Sequence, residues 1–148
     1  MTKGGALPKG IERPSDSGSQ EKYEVKSSPK TITLRISKFN PEKDHTTAFL
    51  EFTVPYQRWT TVLDAILEVK GRHDHSIGVR YSCRQATCGS CGMIINGKPS
   101  LACFTKISEL DSDVITVEPM NNFPLIRDLA VGFERMISTH KRIKPYII

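Results

Sequence analysis

From Thr31 onward the chain alternates strictly, with Ile32, Leu34 and Ile36 on one face and Thr33, Arg35 and Ser37 on the other. That period of two predicts a half-buried strand. A second alternating run, with Leu50, Phe52 and Val54 set against Glu51 and Thr53, predicts another strand from Phe49 to Val54, and Asn40-Pro41 starts the connection between the two. The period then lengthens. Thr61-x-x-Asp64 has the form of a capping box and opens a helix on which Val62, Leu63, Ile66 and Val69 recur at helical spacing, with Gly71 placed to end it. Beyond that helix, Met93-Ile94-Ile95 and Ser100-Leu101-Ala102 flank Asn96-Gly97, the dipeptide most favoured in tight hairpins. A further strand is expected from Val114 to Val117. Toward the end, Ile126, Leu129, Phe133, Met136 and Ile137 form an apolar stripe if Pro124 to His140 is helical, and that stripe needs a cover. Lys141, Arg142 and Lys144 follow where a helix C-terminus favours cations.

The chemistry is concentrated in one loop. All the cysteines of the chain, Cys83, Cys88, Cys91 and Cys103, read C-x4-C-x2-C-x11-C. Three thiols delivered from a stretch of small residues, Ser82 to Gly92, suit a flat [2Fe–2S] cluster gripped from one side. Because Gly97 lies midway between Cys91 and Cys103, a hairpin there returns the last thiol to the level of the first three. A cluster with four thiolates carries about −2 overall and about −3 once reduced, so it needs donors and positive charge around it. Gly89 and Gly92 can turn backbone N–H groups inward, Ser90 can add a hydroxyl, and Arg84 sits beside the first ligand. Two other uses of four cysteines compete. Structural zinc takes four thiolates too, although its usual signature is two separated C-x2-C knuckles. A disulfide framework needs an oxidising compartment, whereas the first residues carry no apolar signal-peptide core.

Ser82-Cys83-Arg84, Cys88-Gly89-Ser90-Cys91-Gly92-Met93, Ile95-Asn96-Gly97 and Leu101-Ala102-Cys103 together resemble the iron–sulfur subunit of succinate dehydrogenase and fumarate reductase. The resemblance extends from about Thr31 to Ile148 and includes Val117-Glu118-Pro119, Phe123 to Leu129, and Ile143-Lys144-Pro145-Tyr146. It implies an α+β fold: a β-grasp, ferredoxin-like domain over 31–119, preceded by a tail and followed by a helical connector over 120–148. It also implies Cys83, Cys88, Cys91 and Cys103 as ligands of a [2Fe–2S] cluster that accepts electrons singly from the FAD of a flavoprotein subunit, with the surface from Arg84 to Gly89 facing that partner. Members of the family continue into a helical domain holding a [4Fe–4S] and a [3Fe–4S] cluster. This chain has no C-x2-C-x2-C-x3-C-P run. It is therefore expected to hold only the cluster nearest the flavin, with a second iron–sulfur chain or domain and membrane-anchor subunits as further partners, whether it is a fragment, half of a split subunit or a shortened relative. Direction of flow, potential and final acceptor stay open, and two alternatives stand beside this reading: a free-standing ferredoxin with its terminal helix folded on its own core, and a zinc-stabilised interaction module.

Composition narrows the field further. With 38% hydrophobic and 25% charged residues in a chain of 148, the sequence is ordinary globular material for one domain with extensions. No apolar run approaches the roughly eighteen residues of a membrane span. The net charge of +5 is interspersed and reads as a solvated face, with no nucleic-acid motif. Residues 1–30 mix Gly, Pro, Ser, Lys and Glu with few large apolar side chains and read as a disordered tail. Glu12, Asp16, Glu21 and Glu24 argue against a transit peptide, so the chain is expected in the cytoplasm, peripheral to the membrane through its complex. His73-Asp74-His75 reads as a solvated connector, and Trp59 as core or interface packing. No nucleotide loop or nucleophile–His pattern gives the chain a catalytic residue or substrate site of its own.

Overall fold

The computed structural model describes residues 30–42 and 44–145. The expected tail lies outside them except for Lys30. Strands β1 (Lys30–Asn40) and β2 (Asp44–Tyr56) form a long antiparallel hairpin, followed by helix α1 (Val62–Arg72), the short hairpin β3 (Gly92–Ile95) and β4 (Lys98–Leu101), and strand β5 (Val114–Glu118). These strands make one mixed sheet in the order β2-β1-β5-β3-β4. Strand β5 enters parallel to β1, pairing Leu34 with Ile115 and Ile36 with Val117, and antiparallel to β3, pairing Ile95 with Val117. With α1 lying across the sheet, this is the α+β, ferredoxin-like arrangement expected.

Each element forms for a local reason that packing then reinforces. The inward residues of β1, Ile32, Leu34 and Ile36, are buried against Val62, Leu63, Ile66 and Val69 of α1 in one core. The capping box is formed: Thr61 Oγ1 accepts from Asp64 N–H at 3.2 Å, and Asp64 Oδ2 accepts from Thr61 N–H at 3.0 Å. At the other end Gly71 does not terminate the helix. It stays inside the last turn, and the N–H groups of His73 and Asp74 both donate to Val69 O, closing the helix without a left-handed residue. In the β3–β4 turn, Asn96 and Gly97 both have positive φ, 47° and 77°, as the primed hairpin turns require. Asn96 Oδ1 also accepts from Thr116 N–H at 2.8 Å, tying that turn to β5.

Two further sequence expectations are corrected. The inward face of β2 fades along the strand: Val54 is fully buried, Phe52 partly, and Leu50 is 38% exposed, because β2 is an edge strand whose hairpin runs past the end of the core. The expected helix from Pro124 to His140 is two elements. Strands β6 (Leu125–Arg127) and β7 (Ala130–Val131) form a small hairpin, and helix α2 runs only from Glu134 to Ile143. The reason is the turn at Asp128, whose φ is 50° and which reverses the chain so that Leu129 and Val131 are buried together. Leu129 thus belongs to the core and Ile126 is 45% exposed, leaving Phe133, Met136 and Ile137 as the part of the stripe carried by or beside α2. Helix α2 ends as its charges suggest, with Lys141 and Arg142 in its last turn and Lys144 in a left-handed cap.

Candidate iron–sulfur site

The loop from Ser82 to Cys91 belongs to no strand and is shaped by its own backbone. Arg84, Ala86 and Gly89 have positive φ values of 57°, 58° and 72°. Alternating hand along a short run turns successive N–H groups toward one side, the geometry of an anion-binding nest. Here the sulfurs receive them. Cys83 Sγ accepts from the N–H groups of Gln85, Thr87 and Cys88 at 3.5, 3.4 and 3.3 Å, and Cys103 Sγ accepts from Ala86 N–H at 3.4 Å.

The four thiols stand as two unlike pairs. Cys88 is exposed and Cys83 partly so, while Cys91 and Cys103 are buried and belong to the hydrophobic core. The buried pair is brought together as the hairpin spacing predicts: Gly92 is paired with Leu101, and Ala102 N–H donates to Cys91 O at 3.1 Å. Helix α1 supports the same turn, because the first-turn N–H groups of Val62 and Leu63 donate to Thr105 O and Ala102 O at 2.9 and 3.0 Å. The pairs also differ electrostatically. The Ser90 hydroxyl, with Cys83 behind it, holds the Cys88 thiol down at about 6, whereas burial pushes the Cys91 thiol up.

The residues around the cysteines divide into those placed as expected and those placed otherwise. Ser90 stands close enough to Cys88 to help lower its pKa. Gly89 has the positive φ foreseen but gives no N–H to sulfur among the described residues. Gly92 is needed for space instead of for a turn, since a Cβ there would stand 3.0 Å from Met120 Cε and 3.2 Å from Gly89 O, and its N–H donates to Gly89 O. Arg84 stacks its guanidinium 5.0 Å from the centre of the Tyr81 ring, a partner that sequence reading did not single out. The left-handed residues Arg84 and Ala86 were equally invisible, because neither is a residue type that favours positive φ. Beyond the loop, Asp74 is occupied by Lys38 and Ser76, and Trp59 is 70% exposed in a turn, so it is not core packing.

The donor set fits a two-iron cluster. All four cysteines are free thiols. Four thiols on and beside a loop whose amides point at sulfur have the donor chemistry a thiolate-held cluster would need. Comparison with known proteins decides the family. The "2Fe-2S iron-sulfur cluster binding domain" matches residues 33–138. The chain belongs to that family. The 2Fe-2S domain here is 41% identical over 117 residues to the fumarate reductase iron-sulfur subunit of Haemophilus influenzae, covering 79% of this chain and 45% of the relative. It is 38% identical over 119 residues to the succinate dehydrogenase iron-sulfur subunit of Coxiella burnetii, covering 79% of this chain and 50% of the relative. Among solved structures, a chain of the Mycobacterium smegmatis Sdh1 complex in the apo form superposes with a TM-score of 0.69 at 28% identity, over 82% of this chain and 48% of that one. The 2Fe-2S domain thus spans about half the length of the relatives it matches. No helix among the described residues is long and apolar enough to cross a membrane.

Proposed function

We propose that this 2Fe-2S domain holds its cluster through Cys83, Cys88, Cys91 and Cys103 and serves as the electron-transfer iron–sulfur component of a succinate dehydrogenase or fumarate reductase complex. The observation that carries the ligand assignment is the set of four N–H···S bonds from residues 85–88, which stabilise negative charge on sulfur before any metal chemistry begins. When bound, the cluster supplies one-electron redox chemistry. The chain's own part is to hold the thiols, to place N–H donors at Cys83 and Cys103 and to bury Cys91 and Cys103.

In this reading a cluster held by Cys83, Cys88, Cys91 and Cys103 would carry electrons one at a time between the FAD of a flavoprotein subunit and further clusters or quinone, outward in succinate oxidation and inward in fumarate reduction. The flavoprotein docks on the exposed face from Arg84 to Gly89, where Cys88 reaches the surface. A second iron–sulfur chain or domain and membrane-anchor subunits complete the assembly, which holds this domain peripheral to the cytoplasmic face of the membrane. Helix α2 supports a complex over a free-standing ferredoxin, because it buries none of its residues while Met136, Ile137 and Ile143 are 52%, 48% and 70% exposed. An apolar cleft of about 380 Å³ separates Cys88–Ser90 from Phe133, Met136 and Ile137.

Anaerobic purification of the tagged chain from its native source, followed by EPR of the dithionite-reduced eluate, tests this. A co-purifying flavoprotein with a reduced [2Fe–2S] signal is expected. A lone brown protein would point to the free ferredoxin, and a colourless one containing zinc would overturn the electron-transfer reading.

A further inference from the structure

Asp128 is fully buried, yet it sits on the turn of a two-stranded hairpin far along the chain from the cysteines. Its two carboxylate oxygens serve two different segments. Oδ1 accepts from Phe39 N–H at 2.9 Å, at the end of β1, and Oδ2 accepts from Gly78 N–H at 2.7 Å. The backbone repeats the pattern: Asp128 N–H donates to Phe39 O at 3.1 Å and Leu129 N–H donates to Gly78 O at 3.0 Å. Both backbone groups of Gly78 are therefore taken by residues 128 and 129. Lys38 Nζ stands 3.8 Å from Oδ2, and Arg127 Nε 3.9 Å, so the charge is compensated from both flanks.

Gly78 begins the segment that leads to Cys83, and residues 77–82 belong to no strand or helix. Its start is held by buried Ile77, whose N–H donates to Asp74 O and whose O accepts from Lys70 Nζ, and by Val79 packed on the core; the C-terminal arm adds the ties of Asp128 and Leu129 to Gly78, and Phe133 5.0 Å under the Arg80 guanidinium. Close approach is built in, for a Cβ at Gly78 would meet Arg127 O at 2.9 Å, a backbone atom that cannot swing aside. We infer that Asp128 is a positioning residue for the cluster: it fastens the lead-in 77–82 to the sheet and the β6–β7 hairpin, and so sets where Cys83 and its three N–H donors stand. The inference rests on the ligand assignment proposed above. Hydrogen bonds to a buried carboxylate are stronger than neutral ones, which suits a tie that must hold a strandless segment in place.

The test uses the full chain with its cluster reconstituted anaerobically. Asp128→Asn keeps size and shape but turns one N–H acceptor into a donor; Gly78→Ala leaves the carboxylate intact and wedges the same contact from the other side. Both are expected to retain the wild-type iron content and far-UV circular dichroism. Amide exchange over residues 79–88 should be about tenfold faster than in the wild type, with β1–β2 exchange unchanged and the g-values of the reduced signal shifted. Wild-type exchange and g-values in either variant would overturn the inference, as would uniform acceleration across the whole sheet, which would make Asp128 a plain core residue. If Asp128→Asn does not fold, Gly78→Ala carries the test alone. Absence of any [2Fe–2S] signal from the wild type would sink the ligand assignment instead, and exchange in the thiol-reduced, cluster-free chain would still report on the tie.

Discussion

The exposed cysteine pair and the buried pair are built by different physics. Cys83 and Cys88 depend on a loop that makes its own structure, with left-handed residues at 84, 86 and 89 and backbone amides aimed at sulfur. Cys91 and Cys103 depend on the fold: a hairpin register, the first turn of α1 and a shared hydrophobic core. A single cluster held by all four would thus draw on a surface loop on one side and on the hydrophobic core on the other. One side is suited to exchange with the outside, the other to keeping the site in shape.

The largest expected effect treats the two sides alike. Cys88→Ala and Cys91→Ala should each abolish the rhombic EPR signal of the reduced cluster, and survival of the signal in either would remove that residue from the ligand set. Thiol labelling of the cluster-free chain should then separate them, with Cys88 modified at least about tenfold faster than buried Cys91. Similar labelling rates would mean that the burial difference does not hold in solution.

Asp74 sharpens the comparison on the exposed side, because it anchors Lys38 beside the lead-in to Cys83. Burial opposes its charge, but hydrogen bonds from Lys38 and Ser76 outweigh that and lower its pKa from 3.8 to about 2. A lowered folded pKa contributes stability that is present above the unfolded value and is lost as pH falls through the folded one. Asp74→Asn should therefore cost about 2 kcal/mol in denaturant unfolding at pH 7 and almost nothing near pH 2. An equal cost at both pH values would show that charge is not the source. On the buried side, Thr61→Ala should remove about 1 kcal/mol by opening the capping box of the helix that holds the Cys103 turn. In the cluster-free chain Cys91→Ala should cost about 1 kcal/mol and Cys88→Ala less than about 0.5 kcal/mol, which chemical denaturation can resolve.

Much of this was legible where local rules and packing agree. The alternation of Ile32, Leu34 and Ile36, the Thr61–Asp64 box, the Asn96-Gly97 turn and the cysteine spacing each specify a structure that the sheet and core then reinforce. Legibility failed where a tertiary contact overrode a local pattern. The stripe from Ile126 to Ile137 fits a helix, but the turn at Asp128 is held by Phe39 and Gly78, residues remote in sequence, so the first half becomes a hairpin. Leu50 fits the inward face of its strand, but its edge strand outruns the core. Gly71 fits a helix cap, but Val69 O already receives the closing N–H groups. In the cluster loop the glycines were read as the turning residues, yet Arg84 and Ala86 also take positive φ, and residues 85–88 supply the amides.

By itself, then, the sequence determined the chemistry: four thiols at a spacing suited to one two-iron cluster, on a loop between a capped helix and a tight hairpin. Those are short-range properties, set by residue type and by turns of two to four residues. Only the tertiary structure decided which thiols are buried, which amides point at sulfur and how the strandless lead-in is fastened. Each of those depends on contacts between segments far apart in the chain, and no local pattern encodes where a distant backbone will place its N–H groups.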